Sequence, residues 1–181
     1  MTKVLIPLAQ GCEELEAVTV IDILRRAGIQ VITAGLETGP VRASRGTVLL
    51  PDATLDDALA NEFDMIVLPG GMPGSEHLKN DKRVIASLQK AAAEGKYIAA
   101  ICAAPMALHA ADLLQGKKAT SFPGVLDAMP GSHTYMNDRV VVDGRIVTSK
   151  GPGTAMDFAL TLVELLVGKS KRDAVESDLQ R

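Results

Sequence analysis

Two residue types that can do chemistry together, a thiol and a carboxylate, stand at telling places in this sequence. Cys102 lies between the short uncharged run Tyr97-Ile98-Ala99-Ala100-Ile101 and Pro105. The run suits a buried parallel strand, and proline suits the first turn of a helix. The spacing therefore predicts strand, turn and helix, with Cys102 on the turn. A tight turn of this kind presents a nucleophile in the open. The free N–H groups and positive dipole end of the helix favour a thiolate over a thiol. The other reading is a buried cysteine packed as a small hydrophobe, and position by itself leaves both open. The carboxylate is Glu16, three residues after Glu13 in the opening turn of another predicted helix. There it can face a sheet edge while its neighbours face water. A solvated helix start is the alternative.

A third stretch, Pro69-Gly70-Gly71-Met72-Pro73-Gly74, follows the apolar run Met65–Leu68. Its glycines allow the close backbone approach that an oxyanion site needs, although a plain tight turn has the same composition. What these stretches share is position. Each follows a predicted strand, and in an open α/β sheet the carboxyl ends of the strands form one edge where sites assemble.

The positioning elements read as follows. Lys3–Leu8 is a first strand, and Glu13 opens a helix whose core face carries Val18, Ile21, Leu24 and Ala27, stopped at Gly28. Residues 29–36 form the second strand. Residues 41–50 read as a hairpin outside the sheet, 55–59 as a short helix, and 81–94 as an amphipathic helix closed by Gly95. Residues 106–114 are expected as the helix after Cys102, and 118–121 as a further strand. Asp143-Gly144 between two apolar runs signals a hairpin. Gly151-Pro152-Gly153-Thr154 opens a last long helix, apolar almost all round over 158–167 and so expected to be buried. Residues 169–181 read as a short surface helix. Alternating strands and helices predict an α/β sandwich with a mostly parallel central sheet and helices on both faces. No repeat or linker interrupts it, so residues 1–181 read as a single domain.

With 181 residues the chain can bury a sizeable core. A net charge of -3 offers no electrostatic footprint for nucleic acid, and the absence of Trp leaves no stacking platform for single strands. No run is long enough to span a membrane. Met1-Thr2-Lys3 leads straight into a strand, with no signal-peptide pattern. Two distant cysteines, Cys12 and Cys102, make no disulfide framework, and a cytoplasmic location is expected. The His and Cys spacing fits no zinc site.

Gly11-Cys12-Glu13-Glu14-Leu15-Glu16, Leu68-Pro69-Gly70-Gly71, Ala99-Ala100-Ile101-Cys102-Ala103-Ala104-Pro105 and Gly151-Pro152-Gly153-Thr154 together resemble the ThiJ/PfpI superfamily, in its DJ-one branch, as a bacterial-type homologue. The resemblance covers nearly the whole chain. It implies a flavodoxin-like three-layer sandwich, a homodimer and no cofactor. It implies Cys102 as the reactive cysteine, Glu16 as its partner carboxyl, and the N–H groups of Gly71 and Ala103 as oxyanion donors. Gly70, Ala104, Arg26 and Arg45 would contact substrate, arginines of the family binding anions and some reaching across the dimer.

The implied activity is cysteine-dependent conversion of methylglyoxal or glyoxal to hydroxy acids, or deglycation of early glycation adducts. The alternative is a redox sensor or redox-regulated chaperone built on an oxidisable Cys102. The sequence departs from the pattern in two places. Ala103 stands where the protease-like branch has His, which argues against peptidase activity. Phe122 stands where many DJ-one-like members have His, so a Cys-His-Glu triad lacks its usual member. His133 reads as a surface residue, His109 as a helix histidine too far along to serve Cys102, and His77 has no evident role. Cys12 reads as packing.

Overall fold

Parallel pairing of short apolar runs organises residues 1–181, all of which the computed structural model describes. In chain order the elements are β1 (Lys3–Leu8), α1 (Glu14–Arg26), β2 (Gln30–Gly35), β3 (Val41–Arg42), β4 (Val48–Leu49), β5 (Ala53–Thr54), α2 (Leu55–Leu59) and β6 (Met65–Leu68). They continue with α3 (Gly74–Asn80), α4 (Lys82–Ala93), β7 (Tyr97–Ile101), α5 (Pro105–Ala110), β8 (Lys118–Ala119), β9 (Thr134–Tyr135), β10 (Val140–Asp143), β11 (Ile146–Ser149), α6 (Ala155–Val167) and α7 (Lys169–Asp178).

Seven strands form the central sheet in the order β10-β11-β7-β6-β1-β2-β5. Every pairing is parallel except that of β10 with β11, the hairpin turned by Asp143-Gly144. Because side chains alternate along a strand, each strand feeds two cores. Val4, Ile6, Val67, Ala99, Ile101 and Val147 face α1 and α6. Leu5, Ile66, Leu68, Ile98, Ala100 and Ile146 face the layer of α2, α3, α4 and α5. The result is the flavodoxin-like three-layer α/β sandwich.

Six local features differ from the sequence reading, each for a physical reason. The buried stripe of α1 starts at Glu16 and runs through Ala17, Val20, Ile23 and Leu24, which leaves Val18 exposed rather than in the core. Helix α5 stops at Ala110, short of Leu114, as the chain turns left-handed at Asp112. Helix α3 directly follows the Gly-rich loop; only Gly74, Ser75 and Leu78 of it are buried, too few for a periodic signal. It ends at Asp81, whose carboxylate then accepts from the Arg83 and Val84 N–H groups to start α4. Strand β5 is two residues long and below any pattern threshold. Strand β8 pairs with β9 outside the main sheet. Helix α6 is buried along Phe158, Ala159, Leu160, Leu162 and Val163, but Met156 and Val167 are exposed, so its apolar character exceeds what this chain covers.

Candidate active site

The carboxyl ends of β1, β6 and β7 bring the three singled-out loops together. The β1 and β6 loops are stitched by backbone: Glu13 N–H donates to Gly70 O at 2.9 Å and Gly74 N–H to Gly11 O at 3.2 Å. Glycine is required at these crossings. A Cβ on Gly71 would stand 2.3 Å from Glu13 N, and one on Gly70 would stand 2.5 Å from Cys102 Cβ and 2.6 Å from Glu16 Oε2.

Cys102 adopts the left-handed conformation, with φ of 65°, which costs a non-glycine residue about 1–2 kcal/mol. The surroundings hold it there. Its N–H donates to Ser149 O at 2.9 Å, and its C=O accepts from Phe122 N–H at 2.8 Å. Pro105 then occupies the first turn of α5. Only 8% of Cys102 is exposed. The N–H groups of Gly71 and Ala103 point at its sulfur and favour the thiolate.

Glu16 is fully buried one turn into α1. Its Oε2 accepts from Gly70 N–H at 2.8 Å, while Oε1 has no partner. Burial pushes its pKa up to about 7, against the hydrogen bonds from Gly70 and from Cys102. The thiol is the other half of the pair. Burial and then the Glu16 charge push it up to about 12, while Gly71 and Ala103 pull it down. The pair therefore resists a second negative charge. With the proton on Glu16, the repulsion vanishes and both N–H groups stabilise a thiolate.

A cavity of about 410 Å³ opens over Cys102. Gly71, Ala103 and Arg45, which the resemblance implicates, line it, and so do Glu13, Ser44, Met72, Met106, Phe122, Val125 and Pro152. The lip bearing Arg45 is pinned to α1. Arg45 N–H donates to both Glu14 oxygens at 3.1 Å, and Ser44 Oγ donates to Glu13 at 2.9 Å. Against a burial cost, hydrogen bonds from its own N–H, from Arg45 and from Thr47 hold the Glu14 carboxyl down to about 2. It stays charged and keeps the lip in place.

Several expected residues lie elsewhere. Ala104 is fully buried and does not line the cavity; neither does Gly70, expected to contact substrate, nor the buried Glu16 behind it. Arg26 sits in the last turn of α1, paired to Asp22 at 2.7 Å and away from the cavity of its own chain. Cys12 is fully buried, and burial pushes its thiol up to about 11. No histidine lines the cavity. His133 and His109 meet edge to face at 5.7 Å and bond the carbonyls of Leu126 and Pro130. His77 bonds Gln10 O at 3.0 Å. Glu13 and Ser44 were not singled out from the sequence. Glu13 was visible only as a member of the acidic helix start, and nothing marked Ser44.

The profile of the DJ-1/PfpI family matches residues 2–165. The chain belongs to that family. It is 48% identical over 97% of its length to Protein DJ-1 homolog A of Arabidopsis thaliana, and spans only 46% of that relative. It spans 41% of Protein DJ-1 homolog B of the same plant, so it covers less than half of either. The glutathione-independent glyoxalase DJR-1.2 of Caenorhabditis elegans is 38% identical, with 92% of this chain and 89% of that protein covered. Among solved structures, Drosophila melanogaster DJ-1beta superposes with a TM-score of 0.95 at 41% identity, covering 99% of this chain and 97% of the other. The curated relatives at 38–48% identity are plant, insect, fish and nematode proteins. The likeness is thus to the DJ-1 family at large and not specifically to a bacterial type. No helix is long and apolar enough to cross a membrane.

Proposed function

We propose that this protein converts small 1,2-dicarbonyls such as methylglyoxal to hydroxy acids, with Cys102 as nucleophile and Glu16 as proton carrier. The observation that carries the reading is the pairing of a thiol on a left-handed turn, under two free N–H groups, with a buried carboxyl titrating near neutrality. The likeness to a nematode glyoxalase that needs no glutathione adds support. The reactive form is the monoanionic pair, with the proton on Glu16. The thiolate adds to the aldehyde carbon, and Glu16 protonates the resulting alkoxide, giving a hemithioacetal. The Glu16 carboxylate next removes the proton from that carbon, forming an enediol, and returns it to the neighbouring carbon. This leaves a thioester on Cys102, which water cleaves to lactate and the free thiol. The N–H groups of Gly71 and Ala103 stabilise the oxyanions formed in addition and hydrolysis. The net change is methylglyoxal plus water to lactate, and no cofactor is required. Attack on hemithioacetal or aminocarbinol adducts by the same thiolate would make the enzyme a deglycase.

A second reading uses the same atoms. Two N–H donors and a protonated Glu16 suit a Cys102 sulfinate, and a structural relative, Toxoplasma gondii DJ-1, has been solved in an oxidized form. This reading makes Cys102 a redox sensor. Lactate formation over many turnovers by purified protein separates the two. Sustained turnover supports the enzyme, and one equivalent of stable adduct without lactate refutes it.

Two further points belong to this reading. The protein is a homodimer. Leu15 and Val18 on α1 and Val48 and Leu50 on the adjoining β3–β4 hairpin are exposed apolar residues that a second copy would cover. Arg26, outside the cavity of its own chain, would act only across that interface. Small dicarbonyls or glycated adducts are the partners, in a cytoplasmic setting.

A further inference from the structure

A second cavity, of about 280 Å³, adjoins the first and shares Phe122 and Pro152 with it. Phe122 is half exposed, and its ring lies against Gly151, where an added Cβ would stand 3.3 Å from Cδ2. The ring is therefore a partition between two compartments. On one side lies Cys102. On the other lies Lys150, with Arg139, Pro123 and Gly153.

The sheet register makes Cys102 and Lys150 neighbours along the backbone, while their side chains line different cavities. Ile101 pairs with Ser149 at the end of β7 and β11. Cys102 and Lys150 are the next residues on the two strands, which run about 4.8 Å apart while paired. Cys102 N–H donates to Ser149 O at 2.9 Å, and Cys102 O accepts from Phe122 N–H at 2.8 Å, so the Cys102 backbone is held between Phe122 and the residue before Lys150; the Lys150 N–H donates to Arg139 O at 3.2 Å.

The charges differ across the partition. On the Cys102 side, Arg45 enters no ion pair but shares the cavity with the Glu13 carboxylate, and only its backbone N–H bonds Glu14. On the far side, Arg139 is spent on Asp157 at 2.8 Å and on Gly153 O at 3.0 Å. Arg181 shares Asp157 at 2.7 Å. Lys150 bonds only to the neutral Asn137 Oδ1 and enters no ion pair. Its ammonium is the one uncommitted cation of this compartment, and it suits a monoanion.

We propose that Lys150 forms a carboxylate subsite, so that the site selects 1,2-oxoaldehydes, or their adducts, carrying a carboxylate a few bonds from the aldehyde. This rests on the dicarbonyl reading above and specifies its substrate class. The aldehyde enters the Cys102 compartment, and the carboxylate crosses Phe122 to Lys150, away from Glu13. Converting 4,5-dioxopentanoate in this way adds one water and yields 2-hydroxyglutarate, as methylglyoxal yields lactate.

The test compares kcat/KM for 4,5-dioxopentanoate and for methylglyoxal in wild type, Lys150→Gln and Lys150→Arg. The ratio of the two is expected to fall at least tenfold in Lys150→Gln and to recover within threefold in Lys150→Arg, with KM carrying the change. A second arm needs no turnover. Calorimetry on Cys102→Ser compares 2-hydroxyglutarate with lactate, with and without Lys150→Gln, and Lys150→Gln is expected to weaken 2-hydroxyglutarate about tenfold relative to lactate. If wild type turns over neither oxoaldehyde, the dicarbonyl reading falls while the calorimetric arm still decides the subsite. Ratios unchanged within twofold by Lys150→Gln overturn the subsite.

Discussion

Glu16 Oε2 and Cys102 Cβ close on the same point beside Gly70, where an added methyl group would stand 2.6 Å from the first and 2.5 Å from the second. Only an unsubstituted backbone fits between the carboxyl and the thiol-bearing turn. That same backbone donates the N–H that holds Oε2 at 2.8 Å. Gly70 thus sets the spacing of the pair and the orientation of the carboxyl, and leaves Oε1 without a partner.

Gly70→Ala is accordingly expected to be poorly tolerated. Its Cβ would also meet the Ile101 carbonyl at 2.8 Å, a backbone atom that cannot swing away. Overpacking of this kind costs about 1–3 kcal/mol, and dicarbonyl turnover should fall at least tenfold as the pair is forced apart. Gly153→Ala is the control, since nothing lies within 4 Å of its added Cβ. Thermal denaturation and turnover of the two variants check this. Equal melting temperatures for both would show that the Gly70 contact is slack.

The two cysteines should separate cleanly under alkylation. Both thiols are pushed up by burial, so access decides: Cys12 is fully buried and does not line the cavity. Cys102 opens on the cavity. Iodoacetamide at pH 8, followed by peptide mapping, should modify Cys102 at least tenfold faster. Cys12→Ala should keep most of the turnover, and Cys102→Ser should lose it. Comparable turnover in Cys102→Ser and wild type would remove the thiol from the mechanism.

Much of this arrangement was legible because it is local. A buried strand, a cysteine and a proline at the third position after it specify the Cys102 turn, and each sheet-edge loop carries its own glycines. The parallel order of β1, β6 and β7 then follows from the alternation of elements. What the sequence concealed is what depends on long-range placement. Nothing in Ser44 marks it as a partner of Glu13, because the hairpin must first fold onto α1. Nothing in Lys150 marks it as a neighbour of Cys102, because only the register of β11 on β7 brings them together. Arg26 depends on placement at a still longer range: it sits in the last turn of α1 beside Asp22, outside the cavity of its own chain, so a role for it at the cleft would need a second copy.

Burial of Glu16 should leave a signature in stability against pH. The carboxyl titrates near 4.3 in an unfolded chain and near 7 in the fold. Below both values it is protonated in either state and exacts no penalty. Between them the folded state holds a proton that the unfolded state has released, so stability falls as pH rises. Above 7 the cost is complete, up to about 4 kcal/mol for a shift of this size. Glu16→Gln lacks this titration. Its unfolding free energy relative to wild type should therefore rise between pH 4.5 and 8, as measured by denaturant unfolding at several pH values. A difference that stays flat over that range would mean that Glu16 ionises normally.

The last prediction separates nucleophile from proton carrier. In wild type the Cys102 thiol is pushed up by burial and then by the Glu16 charge, while the Gly71 and Ala103 N–H groups pull it down. Glu16→Gln removes the charge and leaves the N–H groups, so the thiol should ionise at lower pH than it does beside a charged Glu16. Alkylation of Cys102 near neutral pH should therefore be retained, and its rate should follow a single titration where wild type shows a coupled pair. Glutamine cannot carry a proton from one carbon to the next. Dicarbonyl turnover should fall by roughly 100-fold or more, the scale of a lost general acid/base. Glu16→Asp should fall between, because the carboxyl is withdrawn by one methylene from its place beside Gly70. Alkylation rates against pH and lactate formation, measured on all three proteins, give the comparison. Loss of alkylation and turnover in equal proportion would mean that Glu16 acts only by supporting the thiolate. Turnover at the wild-type rate in Glu16→Gln would eliminate it as the proton carrier.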